Sequence, residues 1–168
     1  MHLTSKRNWC ILGALFIIAG SLVLLVNPTS IAVVTFGGLL RGIGMTPILG
    51  MIFTMIADAI EYGQWKTGLR TAGAIQSAAT SGQKFGQGIG SALIGFIMEA
   101  NQYNGDLGTQ SPQALHMISN LFIYGVTILG VIMIILLLFY HLDKEYPTIM
   151  KELLEREAQI DQKKKIEE

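Results

Sequence analysis

The sequence predicts an all-α integral membrane protein with four membrane-spanning helices and a charged tail. Three observations carry this expectation. Of 168 residues, 51% are hydrophobic and only 14% are charged, with a mean hydropathy of +0.47, whereas a soluble domain carries about 25% charged residues. The apolar residues gather into four long runs separated by short polar stretches. The charges are segregated, six of the twelve Lys/Arg lying after residue 142.

The spans follow in order. A bilayer core about 30 Å thick needs about 20 helical residues. The first run covers about 9–27 and is stopped by Asn27-Pro28-Thr29-Ser30; it is long for a signal peptide, and no small-residue cleavage motif follows it. The second covers about 31–60. Pro47 removes a backbone donor there, so a kink is expected, and Gly37, Gly38, Gly42, Gly44 and Gly50 permit close approach by a neighbouring helix. Asp58 to Arg70, rich in charge between two apolar segments, reads as the charged turn that ends this helix. The third span covers about 71–99 and is less apolar than the others. Residues 100–113 are turn formers. The fourth span covers about 115–141. In the charged tail, 143–168, Ile149, Leu153, Leu154 and Ile160 form a weak apolar face, which predicts a short surface helix fraying at Lys163–Lys165.

Several chemistries are excluded or disfavoured. The single Cys10 reads as a small buried hydrophobe. His2, His116 and His141 lack metal-ligand spacing, so no metal site is expected. No nucleophile–base pair or phosphate loop suggests an enzyme, and no strand precedes Gly86-Gln-Gly88-Ile-Gly90 to make it a dinucleotide loop. No basic–aromatic pattern suggests nucleic acid, and no cofactor is expected.

Basic residues orient the chain. The Asn27–Ser30 turn and the 100–113 loop contain no Lys or Arg, whereas Lys6, Arg7, Lys66, Arg70 and the six cations of the tail share one side. By the positive-inside rule that side is the cytoplasm, with both termini inside. Two cations remain, Arg41 and Lys84, each about twelve residues into its helix and so roughly 18 Å deep. A charge at that depth is costly and by default faces a bundle interior or a watery cavity. Ser77, Thr80, Gln87, Gly88 and Ser91 share a helical face with Lys84, while Ala74, Ala78, Gly82, Gly86 and Gly90 form a small-residue ribbon on the other side. Arg41 has Val34, Gly37, Gly38, Met45 and Ile48 at helical spacing, none a hydrogen-bond partner; pairing with a carboxylate and a role with substrate both remain open. No acidic residue of the chain reaches the depth of these cations, so their anions are expected from other helices, a substrate or a partner chain.

The pattern Asp58-x-x-Glu61-Tyr62-Gly63-x-x-Lys66-x-Gly68-x-Arg70 resembles the signature loop of the glycoside–pentoside–hexuronide:cation symporters, the melibiose permease-like family of the major facilitator superfamily. Lys84, Gly86-x-Gly88-x-Gly90 and the tail Tyr146-Pro147-x-Ile149-Met150-x-Glu152-Leu153 resemble it too, so the likeness covers essentially the whole chain. The resemblance implies the last third, helices nine to twelve, of a twelve-helix fold. It implies that Lys84 lies close to the sugar and cation sites with Thr80 and Gln83 as its site-facing neighbours; Gln87, on the helical face of Lys84, completes the candidate binding residues. It places Asp58, Glu61, Lys66 and Arg70 at a cytoplasmic gate whose charges pair while the carrier faces outward. The Na⁺ or H⁺ coupling site would lie mainly in the amino-terminal half. Two departures stand out. Leu49 occupies the position where melibiose permease carries an aromatic residue against the sugar ring, and Arg41 has no counterpart.

The expectation is therefore part of a cation-coupled sugar or glycoside symporter of a bacterial cell membrane, working by alternating access. It is a truncated form not active alone, whose partners are the bilayer, the sugar and the missing amino-terminal helices or a partner chain. The alternatives are a small membrane protein that regulates a partner through helix packing, and an inert remnant.

Overall fold

A computed structural model describes residues 5–167, and every described element is helical. We number the helices α1 (Lys6–Val23), α2 (Ile31–Thr67), α3 (Ala72–Ala100), α4 (Pro112–Leu138) and α5 (Leu142–Glu167). By length and composition, α1, α2 and α4 could each cross a membrane. α3, at 29 residues, is long enough to do so, but it carries the polar residues noted above and is the least apolar of the four.

α1 is the centre of the bundle. It buries Cys10, Gly13, Ala14, Gly20 and Ser21, residues small enough to let backbones meet. Apolar burial gives helices no preference for one another over lipid, so close contact between small residues is what holds them together. α2 runs antiparallel to α1, and glycines interlock at two levels. A Cβ on Gly13 would collide with the carbonyl oxygen of Gly44, and one on Gly20 would sit 2.6 Å from the carbonyl of Gly37. Gly38, Gly42 and Gly50 of the same helix face open space, so only two of the five expected contacts are with this neighbour. α4 covers another side of α1, where a Cβ on Gly130 would meet Ile18 at 2.9 Å. Cys10, 4% exposed, is the small buried residue expected.

α2 continues through most of the stretch expected to be a turn. Pro47 lies inside one helix of 37 residues, about 55 Å long, far more than a bilayer core of about 30 Å requires. Asp58 to Thr67 contains no proline and keeps its helical hydrogen bonds. Gly68 alone ends the helix, at φ 73°, donating its N–H to Gln64 O at 2.8 Å; a left-handed glycine there is a common helix stop. The turn is thus Gly68–Thr71.

α4 begins earlier than expected. Ser111 accepts from the Ala114 N–H at 3.1 Å and Pro112 opens the helix, a cap-plus-proline start. A five-residue π-turn, Leu121–Gly125, interrupts it. The tail also departs from expectation, since α5 is one helix of 26 residues running through Lys163–Lys165 without a break. Among its described side chains Ile149 and Leu153 are buried, whereas Leu154 is 58% exposed. His2 and the side chain of Ile160 lie outside the described residues.

Candidate functional site

Three groups of polar side chains stand out, and the most tightly connected joins α1, α2 and α5 at one end of the bundle. Asp58, one helical turn beyond Thr54, is 2% exposed. Both its carboxylate oxygens lie 2.6 Å from Lys6 Nζ at the start of α1. The same ammonium sits 4.6 Å from the centre of the Tyr146 ring on α5, and the Tyr146 hydroxyl donates to Glu61 Oε2 at 2.5 Å. That hydrogen bond to a carboxylate, with some desolvation, pushes the phenol up to about 12. Further along, Trp65 Nε1 donates to Glu152 Oε2 at 2.6 Å and Arg156 Nη1 donates to Trp65 O at 3.0 Å.

A second tie secures the start of α1. Ser5 precedes the helix without capping it, and its hydroxyl donates to Asp143 instead. Asp143 also accepts from the Arg7 N–H at 2.8 Å. A carboxylate from α5 therefore satisfies an otherwise orphan amide and complements the positive end of the α1 dipole.

Of the four residues expected at the gate, the structure brings Asp58 and Glu61 into this network. Lys66 is exposed, with Nζ 5.6 Å from the Tyr62 ring centre. Arg70 is exposed in the turn and forms no ion pair among the described residues. Lys6, Asp143, Tyr146 and Glu152 are partners that sequence reasoning did not assign to the gate. Placing the N-terminal segment, the end of α2 and the tail on one side was the available signal, but it could not pair individual residues.

The second group lies on α3, which has no buried residue. It meets α2 near the turn, where Ile75 Cδ1 would lie 3.3 Å from a Cβ on Gly63, and α4 near its far end through Asn101 and Gln113. Between these points it stands clear. Lys84, Gln83 and Gln87 are exposed and have no partner among the described residues, and Thr80 bonds only to Gln76 O of its own helix. The ribbon at Gly82, Gly86 and Gly90 has nothing within 4 Å of an added Cβ. Both faces of the helix are therefore unoccupied.

The third group surrounds Arg41, for which the helical neighbours offered no partner. The structure supplies partners from other helices. Nε donates to Ser21 Oγ of α1 at 3.1 Å, Nη2 donates to Phe122 O in the π-turn of α4 at 2.7 Å, and the guanidinium lies 4.3 Å from the Phe122 ring centre. A hydroxyl, a carbonyl and an aromatic face thus take the place of the carboxylate considered for it. Arg41 and Lys84 are not bonded to each other.

Long apolar helices packed through small residues, with charged side chains gathered at one end, define a multi-pass membrane protein. The chain belongs to the MFS/sugar transport protein family, whose model matches residues 2–144. It is 36% identical over 157 residues to the isoprimeverose transporter of Lactiplantibacillus pentosus, covering 92% of this chain and 32% of that protein. It is 27% identical over 165 residues to the glucuronide carrier protein homolog of Escherichia coli K12, covering 97% of this chain and 34% of that protein. The chain thus spans about a third of the length of these relatives. No solved structure matches it significantly.

Proposed function

We propose that these helices form the last third of a cation-coupled glycoside carrier that works by alternating access, and that they do not transport alone. The observation that carries this reading is α3. In a transport family, a helix with Lys84, Thr80 and Gln87 on one face, Gln83 at its edge, and a bare small-residue ribbon on another suits the wall of a solute path. Other helices would close on the ribbon, while the polar face would hydrogen-bond sugar hydroxyls and help position coupling carboxylates for Na⁺ or H⁺ outside this chain. The network of Lys6, Asp58, Glu61 and Tyr146 lies at the end where the basic residues gather, which supports a cytoplasmic position for both termini and a gating role for Asp58, Glu61, Lys66 and Arg70.

Similarity to an isoprimeverose transporter makes isoprimeverose the first solute to test. Cells producing these helices together with the first eight helices of such a carrier should accumulate the sugar, and cells producing this chain alone should not. Lys84→Ala should abolish accumulation while the protein still reaches the membrane. Uptake equal to wild type in that variant would remove Lys84 from the site. The open ribbon also suits a small protein that packs on a partner helix. Failure of complementation, with co-purification of a different membrane protein, would favour that second reading.

A further inference from the structure

The proposed transport function makes no use of the π-turn in α4. Inward-facing residues of α4 follow steps of three or four through Ala114, Met117 and Leu121, and again through Val126, Gly130, Met133 and Leu137. Between the two rows lies the five-residue π-turn, with Ile123 buried at its middle. Gly130 has to face α1, because Ile18 lies where its side chain would be. If Leu121–Gly125 rewound as an α-helix with Gly130 held, everything above it would rotate by about 100°, one residue of an α-helix. Ala114, now fully buried, would then leave the inward face.

π-turns are rare and local, so something must favour this one. Two successive carbonyls of the turn are occupied by side chains: Phe122 O by Arg41 Nη2 and Ile123 O by Thr127 Oγ1, each at 2.7 Å. Arg41 is itself held in place. Its stem crosses Gly20, with Cγ 3.0 Å from an added Cβ, and its Nε is bonded to Ser21. Ser21 is fully buried and in turn donates to Ile17 O at 2.8 Å. We propose that Arg41 is a positioning residue that takes no part in binding solute: by holding the Phe122 carbonyl it keeps α4 in its π-turn, and so sets which face of Pro112–Asn120 is turned inward. The charge is satisfied within the bundle, and its fork bridges α1 and α4 as a lysine could not.

The test reads register directly and needs no substrate. In a Cys10→Ala background, single cysteines are introduced in turn at positions 113 to 120 of the membrane-embedded protein, and maleimide labelling is measured. With Arg41 present, labelling should be lowest at positions 114 and 117. Arg41→Ala should move the minima to 115 and 118. Deleting Tyr124 removes one residue of the five-residue π-turn. It should therefore return the minima to 114 and 117 even without Arg41. Unchanged minima in Arg41→Ala would overturn the proposal. So would a flattened pattern that the Tyr124 deletion fails to restore, since that would mark a general folding defect. A flattened pattern that the deletion does restore supports it. Transport failure for other reasons leaves these readings unaffected.

Discussion

Lys6 and Asp58, 52 positions apart, meet at 2.6 Å with the aspartate almost fully buried. This ion pair joins the first turn of α1 to the part of α2 that extends beyond the length needed to cross a membrane. Removing the cation would leave a buried carboxylate uncompensated, which costs about 3–5 kcal/mol in a fully buried pair. The Lys6 side chain is 28% exposed, so water would screen the remaining charge and the cost falls toward about 2 kcal/mol. Lys6→Ala should lower the melting temperature in detergent, and adding Asp58→Asn should recover part of the loss. Additive losses in the double variant would mean the two residues do not interact.

Tyr146 should titrate late. In the unfolded chain a tyrosine ionises near pH 10, about its ordinary value, whereas in the fold its pKa is raised to about 12 by the hydrogen bond to Glu61. A raised folded pKa means the contribution of this contact is complete below about pH 10 and is lost as pH climbs through about 12. Absorbance at the phenolate band should show late ionisation, of which Tyr146→Phe removes one part, while Tyr140, raised by burial, supplies another. Glu61→Gln should shift the Tyr146 part toward the ordinary value; unchanged late ionisation would assign it to another tyrosine.

Glycines of α2 should divide into two classes. At Gly44 or Gly37 an added methyl meets backbone of α1, so Gly44→Ala should destabilise by about 1–3 kcal/mol, as overpacking does. Gly42 faces open space within this chain, and Gly42→Ala should be neutral or stabilising by about 0.5–1 kcal/mol through helix propensity. Thermal unfolding of the two variants side by side makes the comparison, and equal effects would disprove the interlocked α1–α2 contact.

Arg70 should affect transport without affecting stability. It is exposed and holds no ion pair among the described residues, so Arg70→Ala should leave the stability of the chain within about 0.5 kcal/mol of wild type. In the complemented carrier the same change should slow uptake more than it weakens equilibrium sugar binding. Equal loss of both would place Arg70 in the solute site, and wild-type uptake would remove it from the gate.

Much of the fold was legible because membrane helices announce themselves locally. The apolar runs, the Asn27–Ser30 break and the glycine-rich character of α2 are properties of neighbouring residues. Ser111-Pro112 was also a readable helix start, although turn-forming neighbours masked it. The end of α2 was misplaced because charge was taken as a sign of turn. Backbone geometry instead decided it, since helix continues until Gly68 adopts a positive φ. The π-turn was hidden for a different reason. Val126–Leu138 is apolar on all sides, so a one-residue slip of the inward row leaves no trace in the pattern of polar and apolar residues.

The sequence by itself determined the helical membrane class, the number of long runs and the polar face of α3, because hydropathy and helical period act over a few turns of chain. Only the tertiary structure decided what each of these charges meets. Arg41 finds a serine of α1 and a backbone carbonyl of α4, Asp58 finds Lys6, and Glu61 finds Tyr146. Such partners are chosen by which helices lie side by side and in what register. A hydrogen bond between residues 20 to 85 positions apart follows from no local period. The stretch from Asp58 to Trp65 illustrates the difference: its composition marked it as distinctive, and the packing of α1 and α5 against it made it part of a network.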